Sequence, residues 1–311
     1  AALPVDKTNI VPEPAPENPE PIRKGEIQTE PAAEISRDEI SQLMIYPARN
    51  FNVLDIEINA KSYLLYDAER DLILYSKNIE EKMFIASLTK LMAAMAVLDN
   101  AAPEEIAFVS QNAVRTEGEM GNLVVAEKIS VKNLLHALLI ESSNDAATAL
   151  AEHIENKTAV LSADGAENES GRLKFVEMMN KKAAALGLKN TRFTTPSGLN
   201  GNYSTALDLV RLTKASFDYP LIWEIMKKPS ADVYSEDKKI IHHFANSNKL
   251  LVRFPNILGG KTGYTEEAGE CMILVHEIKQ GQKNIFIILN AKDRTAEMAK
   301  FIQWSLEAFL W

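Results

Sequence analysis

The chain has 311 residues, 46% of them apolar, and a formal net charge of −9. That length allows a large core in one or two domains, and the acidic balance argues against nucleic acid, whose binders carry a basic surface stripe. With Cys271 as the only cysteine, no disulfide framework exists within the chain.

Residues 1–43 differ in kind from the rest. Pro4, Pro12, Pro14, Pro16, Pro19, Pro21 and Pro31 are interleaved with Glu13, Glu17, Glu20, Glu26 and Glu30. Such a segment buries too little apolar surface to offset its ordering entropy, so an extended, acidic, disordered spacer is expected. No apolar stretch reaches the length of a membrane span. The spacer reads as an N-terminal tether that holds the following domain away from a surface.

A single globular domain is expected over residues 44–311. Residues 60–66 and 72–75 flank the polar Asp67-Ala68-Glu69-Arg70-Asp71 and read as a β-hairpin. From Ser87 to Leu98 there is no Gly or Pro, and Leu88, Leu91, Met92, Met95 and Leu98 recur at helical spacing, which predicts a helix with one core-facing stripe. Residues 131–140 read as a helix running into Glu141-Ser142-Ser143-Asn144-Asp145, with Asn144 or Asp145 as N-cap of a further helix over 146–154. Residues 157–172 are polar and contain Gly, which predicts a loop. A helix over 175–186 is closed by Gly187, residues 195–198 form a turn, and 205–215 form another helix with Asp208 early and Lys214 late. After about Tyr234 the pattern returns to β, in 259–265, 271–276 and 284–290, and a helix over 295–309 follows. Cys271, in an apolar run, is expected to be a buried strand residue. The fold class is therefore α+β: a sheet assembled from both ends of the chain, with a helical lobe inserted over roughly 87–225.

Within this frame Ser87 and Lys90 lie three apart at the start of a helix, so the hydroxyl and the amine share a face. A serine alcohol is a weak nucleophile without a partner to take its proton. Lysine serves as that partner only where burial or a nearby cation depresses its pKa. Two further short motifs follow in order, Ser142-x-Asn144 and Lys261-Thr262-Gly263. Glycines at 259 and 260 let a substrate backbone approach the strand edge. Singly each motif is weak. Ser235-Glu236-Asp237-Lys238 also fits Ser-x-x-Lys, but its polar surroundings mark a solvated loop.

The ordered trio is the set shared by penicillin-binding proteins and class A β-lactamases. Further stretches are Ala86-Ser87-Leu88-Thr89-Lys90-Leu91-Met92, Phe175-Val176-x-x-Met179-Asn180-x-Lys182-Ala183, Pro196-Ser197-Gly198-Leu199 and Gly260-Lys261-Thr262-Gly263-Tyr264-Thr265. With these, residues 50–311 resemble the D-alanyl-D-alanine carboxypeptidases of the low-molecular-mass penicillin-binding proteins. The resemblance implies a β-lactamase-like transpeptidase fold, an antiparallel sheet flanked by helices. It implies that Ser87 attacks the carbonyl of the penultimate D-Ala, with Lys90 as a base kept neutral by the Lys261 cation. Ser142 relays a proton to the leaving amine, and Asn144 holds the substrate amide and orients Lys90. Lys261 and Thr262 recognise the terminal carboxylate, Arg294 assists, and Gly263 and Thr265 complete the binding edge. The backbone N–H groups of Ser87 and Tyr264 form the oxyanion hole. Expected partners are peptidoglycan stem peptides and β-lactams that trap Ser87, at an extracytoplasmic site, with the protein a monomer.

No metal or other cofactor is expected. His136, His153, His242, His243 and His276 show no His-Glu-x-x-His spacing, and His242 and His243 are adjacent, so in a strand they face opposite sides. Met92, Met95, Met178 and Met179 read as core. A class A β-lactamase needs a loop glutamate to activate water; Glu177 is the acid at about the right distance after Ser142, but it falls inside a helix and points to solvent. A D,D-endopeptidase or transpeptidase would use the same residues on a cross-linked peptide. A non-catalytic peptidoglycan-binding or β-lactam-sensing domain would have no use for an activated nucleophile. Two departures from the resemblance stand out. The loop over 157–172 is longer than the usual connection. No β-rich second domain or amphipathic anchor follows Trp311, which leaves the N-terminal spacer as the expected attachment.

Overall fold

The computed structural model describes residues 47–118, 120–161 and 171–311. The expected spacer over 1–43, and residues 44–46 of the expected domain, lie outside the described residues. Strands β1 (Ala60–Asp67) and β2 (Leu72–Lys77) form the expected hairpin, and β3 (Ile257–Thr265), β4 (Gly269–Lys279) and β5 (Gln282–Ala291) come from the far end of the chain. Between β2 and β3 lie helices α1 (Thr89–Asn100), α2 (Val131–His136), α3 (Asn144–Leu161), α4 (Gly171–Ala185), α5 (Ala206–Ala215) and α6 (Pro220–Met226), and α7 (Arg294–Ala308) follows β5. The five strands make one antiparallel sheet in the order β3-β4-β5-β1-β2. The two ends of the chain meet at β5 and β1, where Ile287 is paired with Leu64 and Ile285 with Tyr66. This is the α+β arrangement read from the sequence.

The middle strands β4 and β5 carry long buried apolar runs because both faces of the sheet are covered there, whereas the edge strand β2 is largely exposed. Leu64, Cys271, Ile273, Val275, Ile285 and Ile287 pack toward the helical lobe. Tyr63, Leu65, Met272, Leu274, Phe286 and Ile288 pack against Met298, Phe301, Ile302 and Trp304 of α7. Phe301 is the hub of that second layer, with ring centroids 5.8 Å from Tyr63, 5.2 Å from Phe286 and 6.1 Å from Trp304.

Several elements differ from their sequence expectation. Helix α1 does not present one stripe: every residue from Thr89 to Val97 is buried. It is the central strut of the lobe, and Ala93, Ala94 and Ala96 let neighbouring elements approach on the sides where a surface helix would be polar. The helix expected over 131–140 ends at His136, widens into a π turn over Ala137–Glu141, and stops at Ser142 in a left-handed conformation (φ 75°). Asn144 is already helical, and the capping acceptor before it is Ser143, whose Oγ receives Ala146 N at 2.9 Å. Both ends of the loop expected over 157–172 are helical. α3 continues to Leu161, with Thr158 Oγ1 bonded back to Ile154 O, and α4 starts at Gly171. Residues 162–170, the middle of that expected loop, lie outside the described residues. The β pattern begins at Ser230, earlier than expected, as a separate hairpin of Ser230–Tyr234 with Ile241–Ala245. It buries His242 and exposes His243, the alternation expected of adjacent strand residues. Ser235 caps the turn of this hairpin through Asp237 and Ile240, and Lys238 is exposed, so this second Ser-x-x-Lys is structural. At the far end, Phe309–Leu310 leave the helix and pair with Ala48–Arg49.

Cys271 is fully buried, and burial pushes its thiol up to about 11. The folded protein is therefore expected to resist iodoacetamide at pH 8, where its thiol stays protonated, and to be alkylated once unfolded in urea; mass spectrometry reads both. Phe301→Ala should lower stability by about 3–5 kcal/mol, the cost of emptying an aromatic core site, read as a fall in the urea midpoint.

Candidate active site

The structure brings Ser87, Lys90 and Asn144 into direct contact. Ser87 sits in a single 3-10 turn, Ala86–Leu88, immediately before α1. One helical turn on, the Lys90 side chain is fully buried and its Nζ reaches three oxygens: Ser87 Oγ at 2.7 Å, Asn144 Oδ1 at 2.7 Å and the Ser197 carbonyl at 2.8 Å. Asn144 is itself oriented, because its Nδ2 donates to Glu117 O at 2.8 Å. Gly118 lies so close that a Cβ there would stand 2.5 Å from that amide nitrogen.

The peptide that carries Ser87 is held under local strain. Ala86 has φ 46°, a left-handed conformation that costs an L-residue of order 1–3 kcal/mol. Two glycines make room for it. A Cβ on Gly198 (φ 91°) would lie 2.0 Å from Ala86 O, and one on Gly263 would lie 3.0 Å from Ser87 N. The Ser87 N–H is thus flanked by backbone from the 195–198 turn and from β3.

A second cluster stands on β3. Lys261 Nζ donates to Ser142 Oγ at 2.8 Å and to Thr262 O at 2.9 Å. Thr262 Oγ1 lies 2.7 Å from Ser247 Oγ, and Ser247 N donates to Ile140 O, which ties β3 to the π turn. Arg294 approaches from the first turn of α7: its Nη1 donates to Gly263 O at 3.1 Å, beside Glu270. The Tyr264 side chain is exposed. Thr265 is turned to the β3–β4 connection, where its Oγ1 receives Ala268 N, and it does not join the hydrogen bonds around Ser87. Glu177 is exposed on α4, as expected.

Three residues of this site carry no role in the sequence reading. The Ser197 carbonyl is one. Asn202 is another: buried, it accepts from Thr194 N and Thr195 N and donates to Thr89 Oγ1 and Thr195 O, locking the 195–198 turn onto the first turn of α1. The third is Asp145, whose buried carboxylate receives Gly121 N and Leu123 N and so fixes the segment that presents Glu117 O to Asn144. The Pro196-Ser197-Gly198 motif signalled the turn. The Asn202–Thr89 bond, between residues 113 apart, leaves no local pattern.

Among known proteins, the D-alanyl-D-alanine carboxypeptidase family matches residues 49–293. The chain is 35% identical over 239 residues to a D-alanyl-D-alanine endopeptidase of Pseudomonas aeruginosa, covering 76% of this chain and 73% of that one. It is 32% identical over 261 residues to the D-alanyl-D-alanine carboxypeptidase DacF of Bacillus subtilis, covering 80% of this chain and 63% of that one. In structure it is similar to a D-alanyl-D-alanine carboxypeptidase of Mycobacterium tuberculosis, with a TM-score of 0.71 at 26% identity over 85% of this chain and 96% of that one. It also shares the fold of the Streptomyces K15 DD-transpeptidase, with a TM-score of 0.72 at 24% identity over 82% of this chain and all of that one.

Gly198→Ala should drive a methyl into the Ala86 carbonyl and displace Ser87. A non-glycine residue at φ 91° also carries backbone strain of order 1–3 kcal/mol, so the urea midpoint of this variant should fall.

Proposed function

The chain belongs to the D-alanyl-D-alanine carboxypeptidase family, and on that premise we propose that it removes the terminal D-Ala from peptidoglycan stem peptides through an acyl-enzyme on Ser87. The observation that carries this reading is the buried Lys90 Nζ, 2.7 Å from both Ser87 Oγ and Asn144 Oδ1. A general base must stand within hydrogen-bond reach of the proton it takes, and this amine does.

In the proposed reaction Lys90, as the free amine, takes the Ser87 proton while Oγ bonds to the carbonyl carbon of the penultimate D-Ala. The developing oxyanion is received by the backbone N–H groups of Ser87 and Tyr264. The C–N bond then breaks as the proton held by Lys90 passes by way of Ser142 to the leaving amine, which returns Lys90 to the free amine; Ser142 is itself held by a hydrogen bond from Lys261. Lys261 and Thr262, the latter with its hydroxyl set by Ser247, hold the carboxylate of the departing D-Ala. Asn144 binds the substrate amide while keeping Lys90 in place. Arg294 supports the edge through the Gly263 carbonyl and adds positive potential beneath the carboxylate. Water then attacks the ester, Lys90 takes its proton, and as the ester C–O bond breaks Lys90 returns that proton to Ser87 Oγ, restoring both groups. A β-lactam resembles the D-Ala-D-Ala end and acylates the same oxygen.

A second reading is favoured by the relatives at 35% and 33% identity that are named D-alanyl-D-alanine endopeptidases. The same residues would then cut a cross-link, with the amine of a neighbouring stem as leaving group. Peptidoglycan processing takes place outside the cytoplasm, in the cell envelope. No helix among the described residues is long and apolar enough to cross a membrane; we propose that residues 1–43 tether a monomeric enzyme there.

Release of D-Ala from a stem peptide ending in D-Ala-D-Ala, and of monomer from a cross-linked dimer, separates the two readings. Ser87→Ala should lower whichever activity is present by at least about 10⁴-fold with the urea midpoint kept. Residual release within tenfold of wild type would exclude Ser87 as the nucleophile.

A further inference from the structure

Two segments brace the two halves of the site, and each carries one member of a buried acid–base pair. Behind Asn144, the Asp145 carboxylate holds Gly121 N and Leu123 N, and the next residue, Val124, donates its N–H to the Glu127 carboxylate at 3.1 Å. Behind Thr262, Ser247 bonds the threonine hydroxyl and stands just beyond the hairpin of Ser230–Tyr234 with Ile241–Ala245. Asn246 closes the base of that hairpin, its Nδ2 donating to the Met226 and Lys228 carbonyls. Between the two segments, Glu127 Oε1 lies 2.8 Å from His242 Nε2, across 115 positions of chain. Side-chain exposure is 0% for the acid and 4% for the imidazole.

An apolar pair of similar volume would fill this place at less cost, because two polar groups withdrawn from water recover their desolvation only through each other. What the pair adds is direction. An ionised Glu127 can only accept, so the imidazole donates from Nε2. Apart from His242, the inward face of the hairpin carries the buried Val233 and Phe244, the latter stacked on the imidazole at 5.7 Å. Apolar contacts of that kind hold a hairpin down without fixing where it sits, since they are non-directional. The tip is secured separately, by Glu236 N on Lys128 O and by Asn133 Nδ2 on Tyr234 O. The Glu127–His242 bond instead lies on the strand that leads to Ser247. Because the second oxygen of Glu127 holds Val124 N, that strand is coupled to the segment behind Asn144.

We propose that Glu127 and His242 are positioning residues for the reaction above: their bond sets the spacing between the nucleophile, on the Lys90–Asn144 side, and the carboxylate-binding Thr262, on the β3 side. The role holds only where Ser87 and Thr262 act as proposed there. It concerns acyl donors that engage both sides at once. A donor without a terminal carboxylate needs the first side alone.

The test uses the full chain and two thioesters of the same N-acyl-D-alanyl group, one leaving as thioglycolate and the other as its neutral amide. The readout is kcat/KM for thiol release, taken as the ratio of the carboxylate donor to the neutral one. His242→Ala should lower that ratio by about tenfold, the lower end for a hydrogen bond to a charged group, with the neutral donor within about twofold of wild type. His242→Gln, whose amide nitrogen stands in for Nε2, should restore the ratio. The paired replacement of Glu127→Met with His242→Leu leaves no unpaired buried charge. It should show the same selective loss at a urea midpoint near that of wild type. A ratio unchanged in His242→Ala and in the paired variant, or an equal loss on both donors, overturns the positioning role and leaves the peptidase reading standing. A wild-type ratio near one removes carboxylate recognition from Thr262, and the positioning role with it. Acylation of the wild type by neither donor overturns the Ser87 reading and this role together.

Discussion

The buried amine of Lys90 is the constraint on which the rest of this structure depends. A lysine nitrogen withdrawn from water is costly unless its hydrogen bonds are met inside the protein. Here three oxygens meet it, from Ser87 on the turn into α1, Asn144 at the start of α3, and the Ser197 carbonyl in the turn after α4. None of these segments is adjacent to another in the chain. The helical lobe exists, in physical terms, to hold α1 in its middle and to bring the other two against its first turns.

Each oxygen is held by a further layer. The π turn over Ala137–Glu141 and the left-handed Ser142 displace the chain so that Ser142 and Asn144 reach two different lysines, Lys261 and Lys90. Ser143 takes over the capping of α3, which leaves the Asn144 amide for the site. Asn202 pins the Ser197 turn to Thr89, and Asp145 pins the segment behind Asn144. Strain in the Ala86 and Ser142 backbones is tolerated because these bonds over-determine both positions.

The site divides into two flanks with different builders. The lobe supplies Ser87, Lys90 and Asn144, whereas the sheet supplies Lys261, Thr262 and the Gly263 backbone. Ser142 and Ser247 join the flanks, the first through Lys261 and the second through Thr262 and Ile140. In the reaction proposed above, a peptide that bridges them would have its reacting carbonyl at Ser87 and its carboxylate-bearing end on the sheet flank.

The α+β class, the hairpin of β1 and β2, the returning strands and the pairing of Ser87 with Lys90 were legible in the sequence, because each rests on contacts within a few residues or on apolar runs long enough to demand cover. The burial of α1 on all sides was not, since a stripe of Leu and Met looks the same whether alanines on the other faces meet solvent or neighbours. Nor was the continuation of α3 to Leu161, where a helix already nucleated upstream adds residues at little cost although the polar, Gly-containing stretch as a whole reads as a loop. The Ser-x-Asn and Lys-Thr-Gly motifs could be read in order but not joined to particular atoms. The resemblance implied that Asn144 orients Lys90, and the two are hydrogen-bonded; that Ser142 bonds Lys261, that Thr265 turns away, and that Asn202 and Asp145 brace the whole were decided by tertiary structure. Those bonds join residues far apart in the chain, and only packing determines which of them meet.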